Sequence, residues 1–148
     1  MRMRIFVFLI ATAVASTGLA YSEIVKPAET EKKKDILAGT IQGLKIDNLM
    51  TSQLELVEGT EVVVSHVQIP PNTTLPKHWH PGEEFVYVLE GSEILWQKDK
   101  PDVHLQKGDV YKVPLRQIHT AMTGEEGATI LVFRVHEKGQ PVRVNIKQ

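Results

Sequence analysis

The chain contains no cysteine among its 148 residues. It therefore cannot form a disulfide or carry a lipid on a thiol. Its stability has to come from a buried core, from metal ligation or from the association of copies. The length fits one domain, and 42% apolar residues are enough to build one core.

An excess of positive charge is also missing. The 17 Lys and Arg residues are balanced by 18 Asp and Glu residues, so nothing recruits nucleic acid. The sequence has no glycine-rich nucleotide loop, no nucleophile elbow and no paired-carboxylate glycosidase pattern. These absences disfavour phosphoryl, acyl and glycosyl transfer.

No hydrophobic run is long enough to span a bilayer. Arg2 and Arg4 precede the apolar segment Ile5 to Ala15, whereas a spanning helix needs roughly twenty apolar residues. A short apolar run after positive charges is typical of a secretory signal, and an uncleaved membrane anchor is the alternative. We therefore expect an exported protein without a stable anchor, in a periplasm-like compartment.

Small side chains after the apolar run indicate where the leader ends. Gly18 and Ala20 suit a signal peptidase pocket, so we expect cleavage between Ala20 and Tyr21. Ala13 and Ala15 offer an earlier cut. Loss of residues 1–20 would remove two arginines, leaving 15 basic against 18 acidic residues and a net charge of −3.

Helical periodicity is absent from the remainder of the chain. Residues 21–35 are polar and are interpreted as a tether, and residues 36–148 as one domain. Short segments rich in β-branched and aromatic residues recur there and predict an all-β sandwich or barrel. These segments are Gln53 to Val57, Thr60 to Ile69, Glu84 to Leu89, Glu93 to Gln97, Asp109 to Val113 and Ala128 to Val135.

Turn residues separate the segments at distances that suit an antiparallel jelly roll. We expect hairpin-like boundaries at these positions. They are Glu58-Gly59, Pro70-Pro71-Asn72, Pro81-Gly82, Glu90-Gly91, Lys107-Gly108 and Glu126-Gly127.

A group of histidines and a glutamate has the spacing of a metal site. His78 and His80 are two residues apart, so on a strand both imidazoles point to one face. A turn follows, and Glu84 begins the next strand. His119 would supply a third imidazole. Three nitrogens and one carboxylate suit Fe, Mn, Ni, Zn or Cu better than Ca or Mg, and leave coordination positions open.

These residues resemble the two motifs of the cupin superfamily. The first motif is matched at His78, His80, Glu84 and Gly91, and the second at Gly108, Pro114 and His119. The resemblance covers about Ile36 to Val144 and implies a cupin jelly-roll β-barrel, a double-stranded β-helix. It also implies one divalent transition metal per chain on His78, His80, Glu84 and His119. Departures from the motifs are Asn72, Arg116 and Thr123 in place of glycine, glycine and asparagine.

The motif spacing also bears on a choice between two neighbouring carboxylates. Glu83 and Glu84 would point to opposite faces of a strand, so only one can turn inward. Glu84 has the three-residue gap from His80 and the six-residue gap to Gly91, whereas Glu83 has neither. We expect Glu84 to be the ligand. Arg116 leaves the turn before His119 undefined.

The resemblance leaves two kinds of function open. One is a metalloenzyme, either a dioxygenase similar to quercetin-cleaving cupins or an isomerase or lyase, acting on a small oxygen-rich molecule. The other is a non-catalytic cupin that binds or senses a small ligand or the metal. Catalysis needs an acid or base, for which His66, Tyr111 and Gln117 are weak candidates. A homodimer is expected, because exposed strand edges tend to pair.

Overall fold

A computed structural model of the protein describes residues 41–146, which form eight strands and contain no helix. The leader, its cleavage site and the whole of the tether lie outside the described residues. Within residues 41–146, no helix could cross a membrane. The strands are β1 (Lys45–Gln53), β2 (Thr60–Ile69), β3 (His78–Trp79), β4 (Gly82–Gln97), β5 (Val103–Gln106), β6 (Val110–Val113), β7 (His119–Glu137) and β8 (Val144–Asn145).

Two long strands, β4 and β7, pair antiparallel along most of their length and run through both walls of the barrel. One wall contains β1, β2, the second half of β7, the first half of β4, and β6. The other contains β8, β3, the first half of β7, the second half of β4, and β5. This curled antiparallel sheet confirms the all-β jelly-roll prediction.

The bend between the walls lies at bulges in β4, where the register shifts between Val88 and Glu90 and between Gly91 and Glu93. Gly91 has φ +69°, and a Cβ there would lie 2.1 Å from the carbonyl oxygen of Gly127. Only glycine allows this approach. The hairpin boundaries predicted at Glu90-Gly91 and Glu126-Gly127 are therefore wrong, because both lie inside continuous strands.

The core lies between the walls and consists of inward-facing aliphatic residues. Its most buried members include Val86, Val88, Leu95, Val113 and Val132. The strand predicted over Gln53 to Val57 is wrong in position, since β1 ends at Gln53 and Leu56 is 99% exposed. An apolar pattern cannot separate a loop from an edge strand where neither is buried.

Candidate metal centre

The four predicted ligands come together between the two walls, near one end of the barrel. His78 in β3 pairs directly with His119 at the start of β7. His80 follows β3, and Glu84 enters from the opposite wall on β4. All four side chains are buried. The three imidazole ring centroids lie 4.4 to 5.2 Å apart.

Backbone carbonyls orient all three imidazoles in the same way. The Nδ1 atom of His78 lies 2.8 Å from the carbonyl oxygen of Pro76, and that of His119 lies 2.8 Å from Gln117. His80 Nδ1 lies 2.6 Å from the carbonyl oxygen of Val142. A carbonyl can only accept, so Nδ1 donates in each case. In the neutral rings each Nε2 therefore presents a lone pair.

These nitrogen atoms face one another and a carboxylate. One nitrogen of each histidine lies within 4.8 Å of the others. Glu84 Oε2 lies 2.9 Å from His80 Nε2, and Glu84 Oε1 lies 3.5 Å from His119 Nε2. The buried Nε2 atoms of His80 and His119 have no hydrogen-bond partner among the described residues. Lone pairs this close repel unless a cation or a proton lies between them.

Arg134 holds Glu84 from the side of the cavity opposite the histidines' wall. Its Nε donates to Glu84 Oε2 at 2.7 Å, and its Nη1 donates to Ser65 Oγ at 3.3 Å. Burial would raise the pKa of Glu84, but His80 and Arg134 outweigh it and hold the pKa well below its ordinary value. The carboxylate stays ionised, which is the form that binds a metal.

The histidines differ in their affinity for a proton. Burial, assisted by His119 and His80, lowers the pKa of His78 to about 3. Burial would also lower the pKa of His119, but the neighbouring Glu84 carboxylate outweighs it and raises that pKa. The negative charge that attracts a proton to His119 would equally attract a metal cation.

Glu83, the competing carboxylate, lies on the outer face of β4. Its Oε1 lies 2.5 Å from the Nζ of Lys112, and both side chains are about half exposed. Glu84 is inward and buried. The alternation of a strand therefore separates the two adjacent glutamates as the sequence predicts.

The three departures from the cupin motifs are accommodated locally. Asn72 and Arg116 adopt φ +51° and +56°, the left-handed conformation for which glycine is the usual residue. Arg116 thus keeps the turn before His119. Thr123 donates through Oγ1 to the carbonyl of Pro70 at 2.6 Å and accepts from the backbone N–H of Thr73 at 3.1 Å. It ties the loop after β2 to β7.

The three weak candidates for an acid or base lie elsewhere. His66 points outward, because its neighbours Ser65 and Val67 are the buried members of β2. Tyr111 accepts a 3.0 Å hydrogen bond from the amide of Gln97. The side-chain amide of Gln117 donates to the backbone carbonyl of Lys98 at 2.8 Å, and the backbone carbonyl of Gln117 orients His119.

The ligands open onto a cavity of about 40 Å³ between the walls, with a mainly aliphatic lining. Three charged residues that sequence reasoning missed also line it, namely Glu93, Arg134 and Arg143. Alternation counted from Glu84 places Glu93 on the outer face, but the bulges at Gly91 reverse the alternation. The sequence also gives no sign of the contact between Arg134 and Glu84, because this contact depends on the register between β4 and β7.

The residues present fit a transition-metal ion. The donor set is three imidazole nitrogens and one carboxylate, and the buried Nε2 atoms lack any other partner in residues 41–146. Nitrogen-rich sites of this kind select transition metals over Ca and Mg. Three buried histidines could therefore hold a metal ion.

Known structures share this fold. The chain is similar to the DMSP lyase DddQ of Ruegeria pomeroyi, at 20% identity and a TM-score of 0.56, over 69% of this chain and 51% of that one. It thus spans about half of the lyase. A cupin-like protein of Thermotoga maritima matches at 20% identity and a TM-score of 0.56, over 71% of this chain and 77% of that one.

The polyketide cyclase RemF of Streptomyces resistomycificus matches at 24% identity and a TM-score of 0.51, over 62% of this chain and 73% of that one. No curated protein sequence matches the chain. The family model described as a cupin domain matches residues 65–134. This match, the double-stranded β-helix and the motif residues agree, and the chain belongs to the cupin superfamily.

Proposed function

We propose that this cupin is a metal-dependent enzyme of the dioxygenase or isomerase/lyase type that acts on a small, oxygen-rich organic molecule. The observation that carries the proposal is the direction of the imidazoles. Three rings held by backbone carbonyls turn Nε2 lone pairs and the Glu84 carboxylate toward one point beside a mainly aliphatic cavity. Metal ligands whose direction is fixed, next to space for a substrate, are what metal catalysis requires.

His78, His80, His119 and Glu84 would hold the ion, one per chain. When bound, a divalent transition metal supplies Lewis-acid polarisation of a substrate oxygen and, for Fe, Mn, Ni or Cu, redox chemistry. Four protein ligands leave positions open on an octahedral ion. The chain itself supplies orientation and charge, since Arg134 keeps Glu84 ionised and aimed at the histidines.

The cavity lining would exclude water from the reaction. Val86, Leu95, Ile130 and Val132 surround the space next to the ligands and are almost completely buried. In such a medium a charge polarises a bound oxygen far more than it would in water. The aliphatic residues that form the core would therefore also strengthen the polarisation of a bound substrate oxygen.

Cavity size restricts the substrate class. About 40 Å³ accommodates about three water molecules, or a ligand with a few non-hydrogen atoms. Among the structural neighbours are DMSP lyases and an oxalate decarboxylase of Bacillus subtilis. Their likeness to this chain concerns the fold, and it suggests DMSP and oxalate as first compounds to assay beside keto acids and diketones.

The test is to load the protein with Fe, Mn, Ni, Cu or Zn in turn and to offer each compound under air and under nitrogen. Oxygen consumption with a redox-active metal would support a dioxygenase, and turnover under nitrogen an isomerase or lyase. His80→Ala, which removes a ligand, is the control that should abolish either activity. Turnover that survives in His80→Ala would contradict a metal-dependent reaction.

The small cavity also favours a second candidate, a non-catalytic cupin that binds or senses a small ligand or the metal itself. A binder needs affinity but no entry route for a sizeable substrate. Tight binding of a compound without product, for every metal in the panel, would support this second function over the first.

A further inference from the structure

Glu93 is a buried carboxylic acid in the barrel interior. It lies on the second half of β4, opposite Leu105 of β5 and Thr123 of β7. Its relative exposure is 3%. It lines the same cavity as His78, Glu84 and His119, together with Leu75, Leu95 and Ala121.

One oxygen of this carboxyl group lacks the partner that a buried polar atom normally has. Its Oε2 atom is buried and has no hydrogen-bond partner among the described residues. Burying a polar group without a partner is destabilising. An unsatisfied group that faces a cavity beside a metal site is best explained by a partner that binds there.

Other titratable groups around the cavity are already engaged. Glu84 and Arg134 bond to each other, and His78 and His119 bond to backbone carbonyls. Arg143 also lines the space and interacts with other residues. Glu93 is close enough to Glu84 and His119 to respond to their charges, and burial raises its pKa to about 7, so that it can exist in either form near neutral pH.

We propose that Glu93 is a catalytic residue that accepts a proton from a substrate bound in this cavity and returns it. This inference rests on the proposed function and narrows it toward isomerase or lyase chemistry. The substrate class is a small carbonyl or carboxylate compound with an acidic C–H bond beside that group. Neither His66, Tyr111 nor Gln117 is placed to act in this way.

The step balances without an oxidant or reductant. The substrate C–H bond breaks, its proton goes to a Glu93 carboxylate oxygen, and its electron pair forms a C=C bond with the carbonyl carbon as an enolate. In an isomerase, Glu93 returns the proton to a different atom of the substrate. In a lyase, the electron pair expels the group on the next carbon, which leaves with its bonding pair, and the proton passes to that group or to water.

A count of the protons released when a ligand binds tests this role without requiring turnover. The probe is formohydroxamic acid, a small chelator that loses a proton when it binds a metal. Calorimetric titration of the Zn-loaded protein in buffers of different ionisation enthalpy counts the protons released. At about pH 8, where Glu93 is mostly ionised, the wild type should release about one proton fewer than Glu93→Gln, since Glu93 takes up the proton.

Glu83→Gln is the matched control, because it removes an exposed carboxylate from the same strand and should behave as wild type. Circular dichroism establishes that each variant is folded, and metal analysis that each is loaded. Equal proton release by wild type and Glu93→Gln overturns the proposal. Loss of zinc from Glu93→Gln also overturns it, since Glu93 would then be a ligand. Failure of the wild type to bind any metal refutes the proposed function instead.

For a compound that the wild type converts, Glu93→Gln should reduce kcat by about 100- to 10,000-fold and change KM little. Unchanged kcat in a folded, metal-loaded variant would contradict a proton-transfer role while leaving the metal-dependent function intact.

Discussion

At the scale of single residues, the candidate metal centre depends on hydrogen bonds that orient the three imidazole rings. Each Nδ1 is bound to a main-chain carbonyl, so each Nε2 remains available. Such outer contacts raise the basicity of a ligand and fix its direction. The contribution of each predicted ligand to metal binding can therefore be measured by changing one residue at a time.

We expect the variants His78→Ala, His80→Ala and His119→Ala to lose the bound metal. We expect Glu84→Gln to weaken metal binding by about 100-fold, because it removes the only negative charge among the predicted ligands. Isothermal titration and elemental analysis measure both effects. Glu83→Gln is the control and should bind metal as the wild type does. Equal losses from the two glutamine variants would refute the assignment of Glu84.

The pKa of Glu93 makes a second prediction at this scale. Because folding raises this pKa from 4.5 to about 7, the stability that the protonated group contributes is complete below about pH 4.5 and is lost as the pH rises to about 7. The loss amounts to about 3 kcal/mol. The Gln side chain of Glu93→Gln does not ionise. Between pH 4.5 and about 7, the free energy of unfolding of this variant should therefore rise by about 3 kcal/mol relative to that of the metal-free wild type.

The comparison with the variant is needed because His78 acts in the opposite direction. Its pKa falls from 6.5 to about 3 on folding, so its contribution is present above pH 6.5 and is lost as the pH falls. Urea unfolding of both metal-free proteins at several pH values isolates Glu93. A difference that stays constant from pH 4.5 to 7.5 would show that the Glu93 pKa is not raised.

At the scale of elements, the site depends on strands that are longer than the sequence suggests. β4 and β7 each pass through both walls, and the bulges at Gly91 reverse which side chains face inward. Glu84, Val86 and Val88 point inward before the bend, and Glu93 and Leu95 after it. The two inward-facing carboxylates of β4, Glu84 and Glu93, are therefore separated by an odd number of positions, which regular strand alternation would not allow.

The C-terminal segment is the second element on which the site depends. The backbone N–H of Ile146 donates to the carbonyl of Lys77 at 2.9 Å, Val144 pairs with Trp79, and Val142 orients His80. We expect deletion of residues 140–148 to weaken metal binding by about 10- to 100-fold, because His80 loses its Nδ1 partner. Isothermal titration measures the change.

Deletion of residues 147–148 alone is the matched control and should leave metal affinity unchanged. Thermal unfolding distinguishes a local effect from loss of the fold. Full metal affinity after the longer deletion would show that His80 needs no support from this segment.

At the scale of the whole molecule, one edge of the sheet has exposed apolar residues. In the described part of the chain, β1 pairs only with β2, and Leu49 and Met50 on it are 55% and 47% exposed. We predict a homodimer, because unprotected strand edges tend to pair. Light scattering should report twice the chain mass. Leu49→Lys should shift the protein toward monomer, and a monomeric wild type at micromolar concentration would contradict the prediction.

Export is the other prediction for the whole molecule. We expect the mature protein to begin at Tyr21, because small residues at Gly18 and Ala20 follow a short apolar run. Intact-mass spectrometry of exported protein measures the new terminus, and Ala20→Asp should retain the leader. A Met1 terminus in the membrane fraction would support the anchor instead.

The sequence by itself determined the fold class and the four-residue ligand pattern. Turn residues and short β-rich segments recur along the chain. Local strand alternation places His78 and His80 on one face, whereas Glu84 and His119 were identified by the spacing of the cupin motifs. The sequence left the turn at Arg116 undefined, and the structure shows there the left-handed conformation that glycine usually adopts, with φ +56°.

Only the tertiary structure decided what surrounds the ligands. Arg134 contacts Glu84 through the register of two strands fifty residues apart, and Val142 reaches His80 across the end of the barrel. Glu93 faces the cavity because bulges at Gly91 reverse the alternation, and Gly91 bends there because Gly127 lies against it. These contacts join distant parts of the chain, and no local pattern specifies which distant residues meet.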